Sequence, residues 1–223
     1  MATAEKCTNN NNGITIKIAD ELRNLLVDGA LSPGFRLGQA ELAERFHASA
    51  IPVREALKLL SSEGLVDHDL NRGFYVPTLS SAEARQLFRM RHLFEDELLQ
   101  SVEWPSERYV AELNALAAEM EVHLNARTPR LWSACHRHFH NAIFELSPNK
   151  IMVRETKRLW SLTDRFRGLL PIPQCIGRHE AGMRHPLVEA LMWRSREALI
   201  RIRRERRTAF EELVLEILES RDL

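Results

Sequence analysis

Two histidines at helical spacing carry the clearest chemical signal in the chain. They begin and end the run His136-Arg-His-Phe-His140, and residues four apart share one face of a helix. Both imidazoles can therefore converge on one ligand. A metalloprotease helix needs the order His-Glu-x-x-His, and no glutamate stands in the base position here. Two imidazoles are also too few for zinc, which takes three or four donors.

The cysteines give little support to a catalytic site. Cys135 stands beside the histidine pair, while Cys7 and Cys175 are distant and in no ligand spacing. An odd number of scattered thiols suits a reducing cytoplasm. The sequence also has no glycine-rich phosphate loop and no nucleophile elbow. We therefore expect no enzymatic activity, and a metal-dependent enzyme is the alternative from a different class.

An arginine lies within the apolar stripe of the last predicted helix. The stripe consists of Leu199, Ile202, Arg206, Phe210, Leu213 and Ile217. A guanidinium among apolar side chains is costly unless it meets an anion. Arg206 is expected either to bind an acidic ligand, to pair with a buried carboxylate such as Glu95, or to extend to the surface. The neighbouring arginines are predicted to form a mostly solvated face: Arg194, Arg196, Arg201, Arg203, Arg204 and Arg207.

Hydrophobic spacing and Pro/Gly punctuation predict the elements that position these residues. Residues 14–77 contain three short helices, the third with Ser49 as its predicted N-cap, followed by a hairpin of residues 65–68 and 74–76. Residues 82–223 contain only helices, near 82–102, 106–125, 129–146, 150–170, 180–192 and 195–221. The fold class is mainly α: an N-terminal winged helix-turn-helix, a linker at 78–81 and a C-terminal all-α bundle. Residues 1–13 are predicted to be disordered.

Charge and hydropathy limit the classes of partner. The chain has 31 Lys and Arg against 31 Asp and Glu, and residues 14–77 contain seven cationic against nine acidic side chains. Overall attraction to a polyanion is therefore absent, and binding would depend on where the cations are placed. No apolar run approaches the roughly 18 residues that a membrane helix needs. We expect no membrane partner.

Five motifs in residues 14–77 resemble the GntR family of transcription regulators. They are Gly29-Ala-Leu-Ser-Pro-Gly-Phe-Arg-Leu37, Glu41-Leu-Ala-Glu44, Pro52-Val-Arg-Glu-Ala-Leu57, Glu63-Gly-Leu-Val66 and Asn71-Arg-Gly73. The helical remainder resembles the effector domain (FCD type) of the FadR subfamily, closer to its VanR-like branch, through Arg91 with Glu95, Phe139-His140 and Asn149. The resemblance implies a cytoplasmic homodimer that binds a pseudo-palindromic DNA operator, as a repressor, under control of a small molecule bound to residues 82–223.

The N-terminal end of the second helix of a helix-turn-helix reads base edges in the major groove. Arg54 is the best candidate for a base contact, since its planar fork matches guanine O6 and N7. The other candidate DNA-binding residues are Ser49, Ile51 and Lys58 on this helix, and Asn71 and Arg72 in the wing. Arg54 and Lys58 could instead be a solvated helix face. The family usually has an arginine where Ala50 stands, so we expect weak binding by a monomer and a need for dimerisation.

Many members of the subfamily hold a divalent metal through one aspartate and three histidines. Here the aspartate position is His136, followed by His140, while Arg184 and Arg206 fall at the other two histidine positions. The resemblance thus points to a pocket in which arginines replace the metal. We expect no cofactor and a small organic-acid or phosphorylated effector, bound by Arg91, His136, His140, Arg184 and Arg206. One alternative is zinc or nickel on His136, His140 and His185; another is an architectural DNA-binding protein with a vestigial helical domain.

Overall fold

The computed structural model describes residues 2–27, 29–170 and 184–221, and the side chains of these ranges from Gly13 onward. The chain divides into two compact units, residues 1–79 and 80–223. Among the described residues, no helix is both long and apolar enough to cross a bilayer.

The first unit is a small helical domain with a two-stranded hairpin. Its elements are α1 (Ala2–Val27), α2 (Gln39–Arg45), α3 (Ala50–Ser62), β1 (Asp67–Asp69) and β2 (Gly73–Tyr75). The strands pair antiparallel, with His68 opposite Phe74. Helices α1 and α3 pack together over buried side chains that include Leu22, Leu57 and Phe74. This is the arrangement of a winged helix-turn-helix, as predicted.

In two places the structure of this unit differs in detail from the prediction. Helix α1 extends back to Ala2, through residues predicted to be disordered. The segment contains no proline, so nothing in it sterically stops a helix that continues from Ile14. Ser49 occupies the N-cap position of α3 with extended backbone, but its side chain makes no capping hydrogen bond. Its hydroxyl therefore does not serve the helix end in the way the sequence suggests.

The second unit is a bundle whose described elements are all helical. They are α4 (Ser81–Gln100), α5 (Glu107–Asn125), α6 (Pro129–Phe144), α7 (Lys150–Asp164), a 3₁₀ helix (Arg165–Leu169), α8 (Pro186–Met192) and α9 (Arg196–Ser220). Helix α4 packs against α7 and α9, and α5 packs against α6 and α8. The predicted helix 150–170 is thus an α-helix that ends in 3₁₀ geometry. Residues 180–183 of the predicted helix 180–192 lie outside the described residues.

Candidate nucleic-acid interface and ligand cavity

The outer face of α3 carries the residues predicted to read DNA. Ile51 is 63% exposed, and the side chains of Arg54 and Lys58 are 56% and 51% exposed. Glu55 lies between the two cations, with its Oε1 at 3.1 Å from Lys58 Nζ and 3.8 Å from Arg54 Nε. The opposite face is buried, so this exposed face is the one that α3 can present to a duplex. A phosphate or base would compete with Glu55 for both cations.

The turn of the hairpin is held by its own hydrogen bonds. Asp69 Oδ1 accepts from the backbone N–H groups of Asn71 and Arg72 at 2.8 and 3.0 Å. Tyr75 Oη donates to the carbonyl of Arg72 at 2.7 Å, and the Arg72 guanidinium lies 5.6 Å from the centre of the Tyr75 ring. Gly73 has φ +95°, a conformation that a side chain would strain. The wing therefore presents the exposed Arg72 from a defined loop.

Helix α3 is fixed to α1 by a charged pair as well as by its core. Arg23 Nη2 lies 2.6 Å from Glu63 Oε1, and Arg23 Nε donates to Glu63 Oε2 at 3.1 Å. Two parallel hydrogen bonds between a guanidinium and a carboxylate define direction as well as distance. This pair lies at the C-terminal end of α3 and orients the helix whose N-terminal end carries Ile51 and Arg54.

The second unit contains a cavity of about 230 Å³. Its walls bring together four of the five predicted effector-binding residues: Arg91, His136, His140 and Arg206. The other lining residues are Arg167, Arg203, Glu205, Arg207, Ala209 and Phe210. The placement of Arg184 was wrong: this residue is exposed and does not line the cavity. Its neighbour His185 turns inward instead, because it forms the N-cap of α8 and its ring packs on Phe139.

A single carboxylate, that of Glu95, lies among the arginines Arg91, Arg203 and Arg207 of the cavity. Glu95 is fully buried, and Arg91 donates to its Oε1 through Nε and Nη2 at 3.1 and 3.0 Å. Arg203 Nε lies 2.9 Å from Oε2 and Arg207 Nη1 lies 3.5 Å from it, while Trp160 Nε1 donates to Oε1 at 2.6 Å. Burial tends to raise the pKa of Glu95, but Arg203 and Arg91, with help from Arg207, lower it to about 2. The carboxylate is therefore ionised at neutral pH.

Positive charge exceeds negative charge around the cavity. Besides Glu95, two carboxylates pair with arginines in or beside the cavity: Asp96 with Arg204 and Arg207, and Asp164 with Arg137 and Arg167. Among the described residues, four arginines that line the cavity and two beside it, Arg137 and Arg204, thus share three carboxylates. One further carboxylate, Glu205, lines the cavity and pairs with the exposed Arg201. Arg206 is the fifth arginine that lines the cavity, and its pKa is lowered by burial. An anion in the cavity would offset this desolvated charge.

The two histidines of α6 pack against each other and against aromatic side chains at the same cavity. The ring of His140 lies 4.5 Å from that of His136 and 5.0 Å from that of Trp160. Burial lowers the pKa of both histidines well below 6.5; the Arg167 charge adds to this for His136, and His136 and Arg203 add to it for His140. Both rings are therefore neutral at pH 7. His140 Nδ1 is buried and has no hydrogen-bond partner among the described residues.

Two of the imidazole nitrogens that a metal would use as ligands lie beside guanidinium groups. Arg206 Nη1 is 3.3 Å from His185 Nε2, and Arg167 Nη2 is 3.4 Å from His136 Nδ1. A divalent cation at His136, His140 and His185 would face the repulsion of both arginines. The residues present therefore do not fit a metal in this cavity.

The inward face of α9 differs from the predicted apolar stripe. Leu199 and Phe210 are buried as predicted, but Arg203 and Arg207 are 5% and 4% exposed, whereas they were predicted to be solvated. They are buried because Glu95 and Asp96 of α4 supply their counter-charges. The alternative in which Arg206 pairs with Glu95 is not observed, since the described partners of that carboxylate are Arg91, Arg203, Arg207 and Trp160.

Cys135 has no feature of a nucleophile. Burial raises the pKa of its thiol to about 11, with a further contribution from Glu119, so the thiol is protonated at neutral pH. A reactive cysteine needs the opposite shift.

Comparison with known proteins agrees with this architecture. Residues 15–76 match the sequence family described as bacterial regulatory proteins, gntR family. Residues 86–219 match the FCD domain family. HTH-type transcriptional regulator BphR of Paraburkholderia xenovorans is 33% identical over 161 residues, which cover 66% of this chain and 63% of BphR. YdhC of Bacillus subtilis, also named an HTH-type transcriptional regulator, is 24% identical over 138 residues, covering 60% of this chain and 61% of YdhC.

The chain thus spans somewhat less than two thirds of the length of these curated relatives. Among solved structures, Escherichia coli McbR/YncC superimposes with a TM-score of 0.76 at 24% identity, covering 91% of this chain and 97% of the other, which shows a shared fold. The FCD match alone extends over more than half of the chain, and the gntR match covers most of the first unit. The chain therefore belongs to the gntR family of bacterial regulatory proteins, with an FCD domain as its second unit.

Proposed function

We propose that the chain is a DNA-binding transcription regulator, acting as a repressor, whose operator affinity is controlled by a small acidic metabolite bound in the second unit. The excess of arginines over carboxylates around the cavity is the observation that carries the effector part. The exposed cationic face of α3 and the ordered wing support the DNA part. Relatives include the transcriptional repressor GlaR of Escherichia coli, 26% identical over 152 residues. Such a protein would act on DNA in the bacterial cytoplasm.

The wall chemistry favours a carboxylate or phosphate. Guanidinium groups bind these planar or tetrahedral anions through two parallel hydrogen bonds, and neutral His136 and His140 can donate to the same oxygens. A relative of the chain, 31% identical over 108 residues, is named the gluconate operon transcriptional repressor of Bacillus subtilis.

The alternative functions are less well supported. A zinc or nickel regulator with ligands His136, His140 and His185 would place the metal against Arg167 and Arg206. An enzyme would need a nucleophile or a base, and Cys135 is a protonated thiol. An architectural protein with a vestigial second unit would have an apolar interior in place of a charged cavity. The relatives described above are named as transcriptional regulators.

We also propose that the chain is a homodimer on a pseudo-palindromic operator. The α3 face offers few cations, and both Arg54 and Lys58 lie close to Glu55, so a single unit would bind weakly. Two-fold pairing doubles the phosphate contacts. Analytical ultracentrifugation at micromolar concentration should give twice the mass of one chain. DNase footprinting should show two protected half-sites separated by about one helical turn. A monomer that protects one half-site with full affinity would contradict the proposal.

Substitution of Arg54 should alter base recognition. Arg54→Ala is expected to weaken operator binding by about 1–3 kcal/mol and to relax base preference at one position of each half-site. Arg72→Ala should weaken binding to all sequences similarly and reduce the salt dependence, because its contact is to the backbone or the minor groove. The measurement is fluorescence anisotropy on duplexes obtained by in vitro selection. Arg154→Ala, an exposed arginine of the second unit, serves as control. Unchanged affinity and selected sequence for Arg54→Ala would show that another surface reads the bases.

A further inference from the structure

We infer that Glu119 and His123 of α5 and Cys135 of α6 form a zinc site that joins the two helices. One ligand atom from each residue lies within 4.8 Å of the ligand atoms of the other two. Thiolate sulfur, imidazole nitrogen and carboxylate oxygen are the three protein donors that zinc accepts. None of these residues lines the arginine-rich cavity, so the zinc site does not overlap the proposed effector site.

The distance between two of the ligand atoms suits a shared cation better than a direct hydrogen bond. His123 Nε2 lies 3.6 Å from Glu119 Oε1, beyond the roughly 2.7–3.2 Å of an N–H···O hydrogen bond. Two ligands bound to zinc at about 2.0 Å and at a tetrahedral angle are about 3.3 Å apart. A small movement of either side chain therefore produces coordination geometry. Glu119 and His123 are four residues apart, so one helix face presents both.

Hydrogen bonds of Thr128 hold His123 in the form that a metal needs. Thr128 Oγ1 lies 3.2 Å from His123 Nδ1 and 3.2 Å from the His123 carbonyl oxygen. A hydroxyl has one hydrogen, and the carbonyl can only accept it. The Thr128 oxygen then accepts the Nδ1–H of the ring, which leaves the lone pair on Nε2, facing Glu119. Zinc-binding histidines ordinarily donate their other ring N–H to an oxygen in this way.

Charge balance also favours a divalent cation. Zinc binding displaces the Cys135 proton to solvent, and the thiolate and the Glu119 carboxylate then neutralise the two positive charges. The exposed side of Glu119 leaves a fourth position for water, which completes a tetrahedron. Cys135 directly precedes His136, which lines the cavity. Zinc bound at this site would therefore attach the segment of α6 that carries His136 to α5.

Cobalt(II) titration of the full chain tests the site. The protein is stripped with a chelator, reduced and titrated with Co²⁺, whose thiolate complexes absorb in the near ultraviolet. We expect this band to saturate at one equivalent per chain and to be abolished by Zn²⁺. Zinc should also protect Cys135 from alkylation. A titration without a thiolate-to-cobalt band would overturn the inference.

Matched variants assign the ligands. Cys135→Ser and His123→Gln should lose the band, and Thr128→Val should weaken binding ~10–100-fold, each with unchanged helical circular dichroism. The double variant Cys7→Ser/Cys175→Ser should keep the band, as should the cavity variant His140→Gln. A band that survives Cys135→Ser, or one that depends on His140, would refute the assignment. Thr128→Val and the alkylation assay still decide the matter if a ligand variant fails to fold.

Discussion

Glu95→Gln is expected to lower the free energy of unfolding by about 3–5 kcal/mol, the cost of removing one partner from a buried ion pair. Glu95 is the buried counter-charge of Arg91 and Arg203, and Arg207 also approaches it. The amide keeps the shape of the side chain but removes the carboxylate that pairs with Arg91 and Arg203, whereas Arg207 keeps its ion pair with Asp96. Thermal melting of the full chain should show a fall of about 10 °C in the transition of the helical unit, at roughly 2–4 °C per kcal/mol.

Glu155→Gln is the matched control for this prediction. Glu155 pairs with Arg154 and Arg158 at the surface, with its side chain 37% exposed, and such pairs contribute about 0–1 kcal/mol. The control should melt within about 4 °C of the wild type. Equal melting temperatures for Glu95→Gln and Glu155→Gln would mean that the arginine cluster does not depend on the buried carboxylate.

Arg206→Ala is expected to abolish the stabilisation of the protein by an acidic ligand. A ligand at a hundred times its Kd raises the free energy of unfolding by about 2.7 kcal/mol, which corresponds to roughly 5–10 °C in melting temperature. Arg206 lines the cavity and its pKa is lowered by burial, so an anion bound beside its guanidinium would offset part of the cost of burying that charge. Differential scanning fluorimetry with gluconate, citrate and inorganic phosphate measures the shift, and sorbitol is the uncharged comparison.

Arg201→Ala provides the control on the same helix. Arg201 is exposed and pairs with Glu205, so this variant should keep the full ligand-induced shift. Arg206→Ala should bind operator DNA with nearly wild-type affinity, because the residue lies in the second unit. An acid that stabilises Arg206→Ala and the wild type equally would place the ligand elsewhere.

The sequence predicted which helices carry the residues of the cavity better than it predicted which arginines and carboxylates pair there. His136, His140 and Arg206 reach one cavity because helical spacing and their position along the chain determine which face they occupy. The burial of Arg203 and Arg207 could not be read from apolar periodicity, since a buried arginine counts as polar in any hydropathy pattern. Its cause is the Glu95 carboxylate, which is 108 residues from Arg203 and 112 from Arg207 in sequence, and tertiary pairing of this kind leaves no local signal.

Irregular backbone limited the prediction elsewhere in the site. Arg167 joins the cavity from the 3₁₀ helix that follows α7, where a helix with 3.6 residues per turn would have placed it differently. At the start of α8, a shift of one residue decides whether Arg184 or His185 faces inward, and cap geometry settles this in favour of His185. The α3 face was predicted well, because Gly64 and Pro52 mark the limits of a short helix whose apolar side is unambiguous.

Release of DNA by an acid bound at Arg206 is the central claim, and fluorescence anisotropy of a labelled operator tests it most directly. The wild-type protein, bound to the duplex obtained by selection, is titrated with the acid that raises its melting temperature most. The expected result is a fall in anisotropy to that of free DNA for the wild type and for Arg201→Ala, with Arg206→Ala remaining bound. Anisotropy that stays constant for the wild type across the organic acids and phosphate, or that falls equally in Arg206→Ala, would contradict it.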